Sequence, residues 1–280
     1  MKGLNFFKQK SCEIKKPQFS HVHKRYVRNE KIKTFFVHFT RIILLFLIVG
    51  LWELSARKNW VDPFITSSPS RIVKMTITLF ENGTLFTHIW TTFYETILAF
   101  TFSTAIGIAV AIVLFMIKPV RRILEPYLVV LNSLPKIALG PLIIIWVGIG
   151  TKAIVTMGIL ICVVIATINL LNGYLQVPEE KILLLKTMGA NKFQILTKLI
   201  IPATIPNFIS TMKVNLGMAW VGVIMGEYLS SRYGLGYLLV YGGQVFNLDL
   251  VMTAIIILCV LSGLMYGAIL LAEILIDKIR

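Results

Sequence analysis

The segment Ile97–Ile117, ILAFTFSTAIGIAVAIVLFMI, carries no charged side chain over the roughly 20 residues a helix needs to cross a hydrocarbon core of about 30 Å. Lipid offers the backbone no water, so a segment of this kind satisfies its own N–H and C=O groups by forming a helix. Similar apolar runs occur at Phe36–Leu54, Tyr127–Val147, Ala153–Leu171, Ile209–Tyr228 and Val251–Ile274. Tyr127–Val147 is interrupted by Pro135 and Pro141. Of the 280 residues 56% are hydrophobic and only 15% charged, whereas soluble domains are about 45–50% apolar and about 25% charged. The expected fold class is all-α: a polytopic membrane helical bundle of six transmembrane helices, without a soluble domain or an internal repeat.

Charge then orients the bundle, because cytoplasmic loops keep an excess of Lys and Arg. With the N-terminus inside, the basic segment 1–35 is cytoplasmic. So are Lys118, Arg121 and Arg122, then Lys181, Lys186, Lys192 and Lys198, and finally Lys278 and Arg280. The outer segments retain only Arg57, Lys58, Arg71, Lys74, Lys152 and Arg232. The expectation is N-in and C-in, as a multi-pass protein of a bacterial inner (plasma) membrane. This topology accounts for most of the net charge of +15 without nucleic acid. The N-terminal tail is too long and basic for a signal peptide. It reads either as a disordered topology-setting tail or as one lying on anionic lipid.

Little else in the sequence points to chemistry. Cys12, Cys162 and Cys259 lack metal or redox spacing, and His21, His23, His38 and His88 are scattered, so neither a metal site nor a catalytic residue is expected. No phosphate-binding loop of the G-x-x-x-x-G-K-[ST] type is present. In the outer segment Arg57–Glu95, Ser68 followed by Pro69 reads as the cap and first position of a short interfacial helix.

The charged stretch EEKILLLKTMGANKFQILTKLIIPATIP, Glu179–Pro206, interrupts this apolar chain on the cytoplasmic side. Pro178 suits a first helical position, and Glu179 and Glu180 place negative charge at the positive end of a helix running to Met188. Gly189 follows as a C-terminal cap. Asn191 caps a second helix, KFQILTKLI, which Pro202 is expected to close. Ile182, Leu185 and Met188 share one face, as do Phe193, Leu196 and Leu199 on the second helix. The loop 172–206 is far longer than a simple return to the membrane requires.

From Gly189 to Pro202 the spacing resembles the signature loop of permease subunits of binding-protein-dependent ABC importers. That pattern is Glu-Ala-Ala, three residues, Gly, nine residues, then Ile-x-Leu-Pro. Gly189 stands at the glycine and Leu199-Ile200-Ile201-Pro202 fills the close, while Leu183, Leu184 and Leu185 replace Glu-Ala-Ala. The stretches Ser133–Val155 and Asn215–Leu239 resemble the nitrate/sulfonate/taurine branch, and the likeness covers roughly Ser68 to the C-terminus.

The resemblance implies a type I ABC importer permease fold over 36–280, with 172–206 as its coupling loop. It implies a non-catalytic subunit forming the pathway for a small solute, a sulfonate, taurine or nitrate-like anion, with a heterocyclic vitamin precursor as the alternative. The partners it implies are a cytoplasmic ABC ATPase, an extracytoplasmic solute-binding protein and a second permease copy in the lipid bilayer. The chain itself would need no cofactor, because ATP is bound by the ATPase. Glu180, Lys186, Met188, Gly189, Ala190, Asn191, Lys192, Phe193 and Pro202 would form the ATPase-coupling loop.

Candidates for the pathway are Asn132, Ser133, Pro135, Lys136, Pro141 and Glu227. Asn132 and Ser133 either line it or bond neighbouring helices. Lys136 either favours anions or snorkels at a helix break. Glu227 either pairs with Arg232 or belongs to an outer gate. Lys213 reads as a snorkelling flank, and Gly263 and Gly267 as a packing face within the subunit or, less simply, between subunits. A self-sufficient ion-coupled carrier or channel would instead carry intramembrane acidic residues, of which the central apolar runs show almost none.

Overall fold

A computed structural model of the chain describes residues 21–279. Cys12 and the tail before His21 lie outside the described residues, which are helical and contain no strand. Helix α1 (His21–Arg57) begins within the basic segment and continues unbroken into the first apolar run. A short turn α2 (Pro63–Thr66) and the helix α3 (Pro69–Glu81) follow. Ser68 caps α3, its hydroxyl accepting from the Arg71 amide at 3.4 Å, with Pro69 in the first turn. This helix packs on α1 and on the last helix.

Helices α4 (Thr84–Met116), α7 (Thr151–Leu175) and α11 (Ile205–Ser230) form the centre of the bundle. They meet through small residues: Ala99 is fully buried, and Gly158 and Gly222 let α7 and α11 touch backbone to backbone. In lipid, close packing of small faces replaces the hydrophobic drive between helices. One polar side chain strengthens the contact: Asn215 Nδ2 donates to Ser103 Oγ at 3.1 Å and to Thr104 Oγ1 at 2.8 Å. Helix α12 (Leu235–Gln244) and the final helix α13 (Leu248–Ile279) flank this centre.

Five helices are long and apolar enough to cross a membrane, and a sixth crossing exists only if a bent pair counts as one. That pair corrects the expected third span. Helix α5 (Lys118–Ser133) ends at Leu134, a 3₁₀ turn occupies Lys136–Leu139, and α6 (Gly140–Val147) leaves at 85°. Pro135 causes the break, because the residue before a proline is driven out of the helical region, and Leu134 is extended. Pro141 breaks nothing and sits in the first turn of α6, where its missing N–H is harmless.

The second span is also longer than expected. It begins at Thr84 rather than near Ile97, so His88 and Glu95 belong to it. Lys213 does not snorkel freely but pairs with Glu273 of α13 at 2.5 Å, both partly buried. Among the described residues, a Cβ at Gly263 or Gly267 would meet nothing within 4 Å, which goes against the expected packing role within the subunit.

Candidate functional site

The cytoplasmic helix–turn–helix forms largely as its caps dictate. Helix α8 (Glu179–Thr187) starts after Pro178, which stands just outside it rather than at its first position. At its end Gly189 takes φ +83°, its amide donates to the Lys186 carbonyl at 3.0 Å, and the Ala190 amide donates to Leu185 at 3.0 Å. A glycine in the left-handed region satisfies the last carbonyls without a Cβ penalty. The next helix, α9 (Lys192–Ile195), opens on a reciprocal cap: Asn191 Oδ1 accepts from the Gln194 amide at 2.8 Å, and Gln194 Oε1 accepts from the Asn191 amide at 2.9 Å.

Pro202 does not close that helix. A π-helical turn, Leu196–Ile200, leads directly into α10 (Ile201–Ala203), and the chain turns only at Thr204. Proline lacks the N–H that would bond one turn back and its ring crowds that turn, so local widening lets the helix continue. Pro202 thus lies exposed within the continuing helix, beyond the turn at Gly189.

The apolar faces also differ from the expected stripes. Ile182, Leu185, Ala190 and Leu199 pack inward against Ile195, Leu196 and Ile200. Met188 is 75% exposed and Phe193 64%, with Leu183 and Leu184 each 62% exposed beside them. Lys186, Lys192 and Asn191 are exposed at the same turn, and Glu180 is exposed at the start of α8. The turn thus presents an apolar ridge edged by cations. Two of the three leucines standing in place of Glu-Ala-Ala are on that ridge, and the third packs inward.

At the bend of the third span, Asn132, Ser133 and Pro135 are exposed, as are Tyr127, Val130 and Leu134. Ser133 Oγ donates to its own helix at Val129. Lys136 is half-buried, and its Nζ donates to the Ile161 carbonyl of α7 at 3.3 Å. Its ammonium is thus tied to the bundle.

Glu227 stands apart from these residues and does not pair with Arg232, which is exposed. It is 1% exposed, and its Oε2 accepts from the Gly236 amide at 2.6 Å. Two α4 side chains hold the same turn: the Gly234 amide donates to His88 Nδ1 at 3.0 Å, and the Leu235 amide donates to Thr92 Oγ1 at 2.7 Å. The same Nδ1 lies 3.1 Å from the Gly234 carbonyl, so the ring meets both backbone polar groups of that glycine. Three consecutive amides at the start of α12 are thereby capped from two spans. Glu95, also 1% exposed, faces Glu227 and Thr151.

The sequence reading missed His88, Thr92 and Glu95 because they precede the uncharged run Ile97–Ile117. A signal was present: Leu85, His88, Thr92, Glu95, Thr96 and Ala99 recur at helical spacing on the face that becomes buried.

Residues 103–280 match the family described as binding-protein-dependent transport system inner membrane component. The formylaminopyrimidine transport permease protein ThiX of Halalkalibacterium halodurans is 31% identical over 195 residues, 70% of this chain and 77% of that protein. The taurine transport system permease protein TauC of Escherichia coli is 24% identical, over 79% of this chain and 82% of the relative. The riboflavin transport system permease protein RibX of Chloroflexus aurantiacus is 26% identical, over 80% and 84%. Among solved structures, an inward-facing form of the MetNI methionine ABC transporter contains a similar chain. The TM-score is 0.63 at 21% identity, over 71% of this chain and 98% of that one.

Proposed function

This chain belongs to the family of binding-protein-dependent transport system inner membrane components, and from that premise we propose that two copies form the pathway of an ATP-driven importer, each gripped by its ATPase at the turn around Gly189. The subunit is a non-catalytic, multi-pass permease of the inner membrane with the type I ABC importer fold. The exposed ridge of Leu183, Leu184, Met188 and Phe193 carries the reading. A rigid, doubly capped turn ending in uncovered apolar side chains is a handle, and the family supplies the partner to grip it.

Movement of the ATPases would displace this turn as a unit, because Ile182, Leu185 and Leu199 anchor it to the ends of α4 and α7. The helices would then rock between inward- and outward-open arrangements around the solute. The bend at Pro135, with Asn132 and Ser133 facing outward from the chain, would lie against the second copy or the pathway. ATP would be held by the partner subunit alone. Purification in detergent tests this reading: a stable complex of two permeases with two nucleotide-binding subunits supports it, and solute uptake by the permease alone refutes it.

Two solute classes merit testing. A sulfonate, taurine or nitrate-like anion is supported by the likeness to the taurine permease. A heterocyclic vitamin precursor is supported by the likeness to the formylaminopyrimidine permease. Calorimetry of the cognate binding protein with taurine, an alkanesulfonate, nitrate and formylaminopyrimidine separates the two.

A further inference from the structure

Glu95 on α4 and Glu227 on α11 face each other inside the bundle, each 1% exposed. Neither oxygen of Glu95, nor Oε1 of Glu227, receives a hydrogen bond from any described residue. None of the ion pairs among the described residues reaches them. The titratable neighbours do not supply a cation. The Nδ1 of His88 is engaged by Gly234, Tyr233 and Tyr237 flank that ring, and Lys152 and Arg232 are exposed. Burial is complete within one chain, so a partner protein cannot reach the pair without separating the helices.

Two like charges cannot be desolvated side by side without a compensating positive charge. A carboxylic acid, by contrast, donates to a neighbouring carboxylate in a short, charge-assisted bond. The described residues hold no cluster of three or more metal-ligating side chains.

We propose that Glu95 and Glu227 bind one shared proton, and that this proton latches α4 to α11 and to the start of α12. The protonated carboxyl donates to its ionised partner, and Glu227 Oε2 keeps the Gly236 amide. The remaining negative charge is stabilised by the amide end of α12. Gly236 is needed for this approach, since a Cβ there would lie 2.8 Å from Glu227 Oε2. When the helix ends part and water enters, the proton leaves to water and the two carboxylates repel. Reclosure takes one proton back. The latch is a property of this pair whatever the solute, and its test is independent of the transport reading.

The test uses the full permease–ATPase complex in nanodiscs. Infrared difference spectra between wild type and variants at neutral pH report the carbonyl stretch of a protonated carboxyl. The expected wild-type band disappears in both Glu95→Gln and Glu227→Gln, because the new amide donates to a carboxylate that then needs no proton. Absence of the band in wild type, or its persistence in both variants, overturns the proposal.

Thermal melting supplies a second readout. The native pair holds a proton that the unfolded chain has released, so wild-type stability falls as pH rises from the ordinary carboxylate range until the pair itself gives up that proton. Glu95→Lys replaces the shared proton with a fixed cation, and its melting temperature should not follow that decline. Parallel declines in wild type and Glu95→Lys overturn the latch.

Discussion

Gly222 lies so close to Gly158 that a Cβ placed on it would stand 2.6 Å from the Gly158 Cα. This crossing of α11 over α7 sets the centre of the bundle, with Ala99 and Val223 filling the space around it.

Gly222→Ala should therefore destabilise the permease by about 1–3 kcal/mol, the usual cost of overpacking. Thermal melting of the purified complex in detergent reads the effect. Gly243→Ala is the control: it meets no neighbour within 4 Å, so it should melt like wild type.

Gly189→Val addresses coupling. The position has open space around it but a φ of +83°, so a β-branched residue strains the turn without clashing. Membrane insertion should be normal, whereas ATP hydrolysis should lose its dependence on the binding protein and solute uptake should fall. Wild-type uptake in proteoliposomes would falsify the coupling role.

The leucine ridge makes a separate prediction. Leu183 is 62% exposed, so Leu183→Glu should change the stability of the free permease by no more than about 0.5 kcal/mol. It should nonetheless weaken capture of the ATPase measurably in a pull-down titration. Unchanged capture together with unchanged uptake would remove Leu183 from the contact.

Lys213 and Glu273 tie α11 to α13 at 2.5 Å, with Lys213 also over the Tyr266 ring. A double-mutant cycle using Lys213→Met and Glu273→Gln should return a coupling of about 0.5–3 kcal/mol. Coupling near zero would mean that lipid-facing packing alone holds the two helices.

Asn215→Leu removes the only polar side-chain contact joining α4 and α11 at Ser103 and Thr104 among the described hydrogen bonds at those residues. Interhelical hydrogen bonds in membranes average about 0.6 kcal/mol and reach about 1.7. A loss within that range is expected by melting. A larger loss would show that Leu does not fit between the helices.

What was legible in the sequence is what neighbouring residues settle among themselves. An uncharged run longer than about 20 residues has no alternative to a helix in lipid, and the distribution of lysines orients it. The caps at Ser68, Gly189 and Asn191 formed where expected, because each is satisfied within a few residues. The family follows from the order of three such stretches and the match over residues 103–280.

The tertiary structure decided everything that depends on residues far apart in the chain. The Leu235 amide finds Thr92 across 143 positions, and Glu227 meets Glu95 only because α4 begins a dozen or so residues before its uncharged run. Helical periodicity could mark the buried face of α4, but not which helix would cover it. Likewise Leu183 and Leu185 are chemically the same residue. One is exposed and the other packs against the end of the bundle because the turn at Gly189 sets the direction of α8. Local free energies choose elements and their ends; only packing between helices chooses which side chains share a buried space.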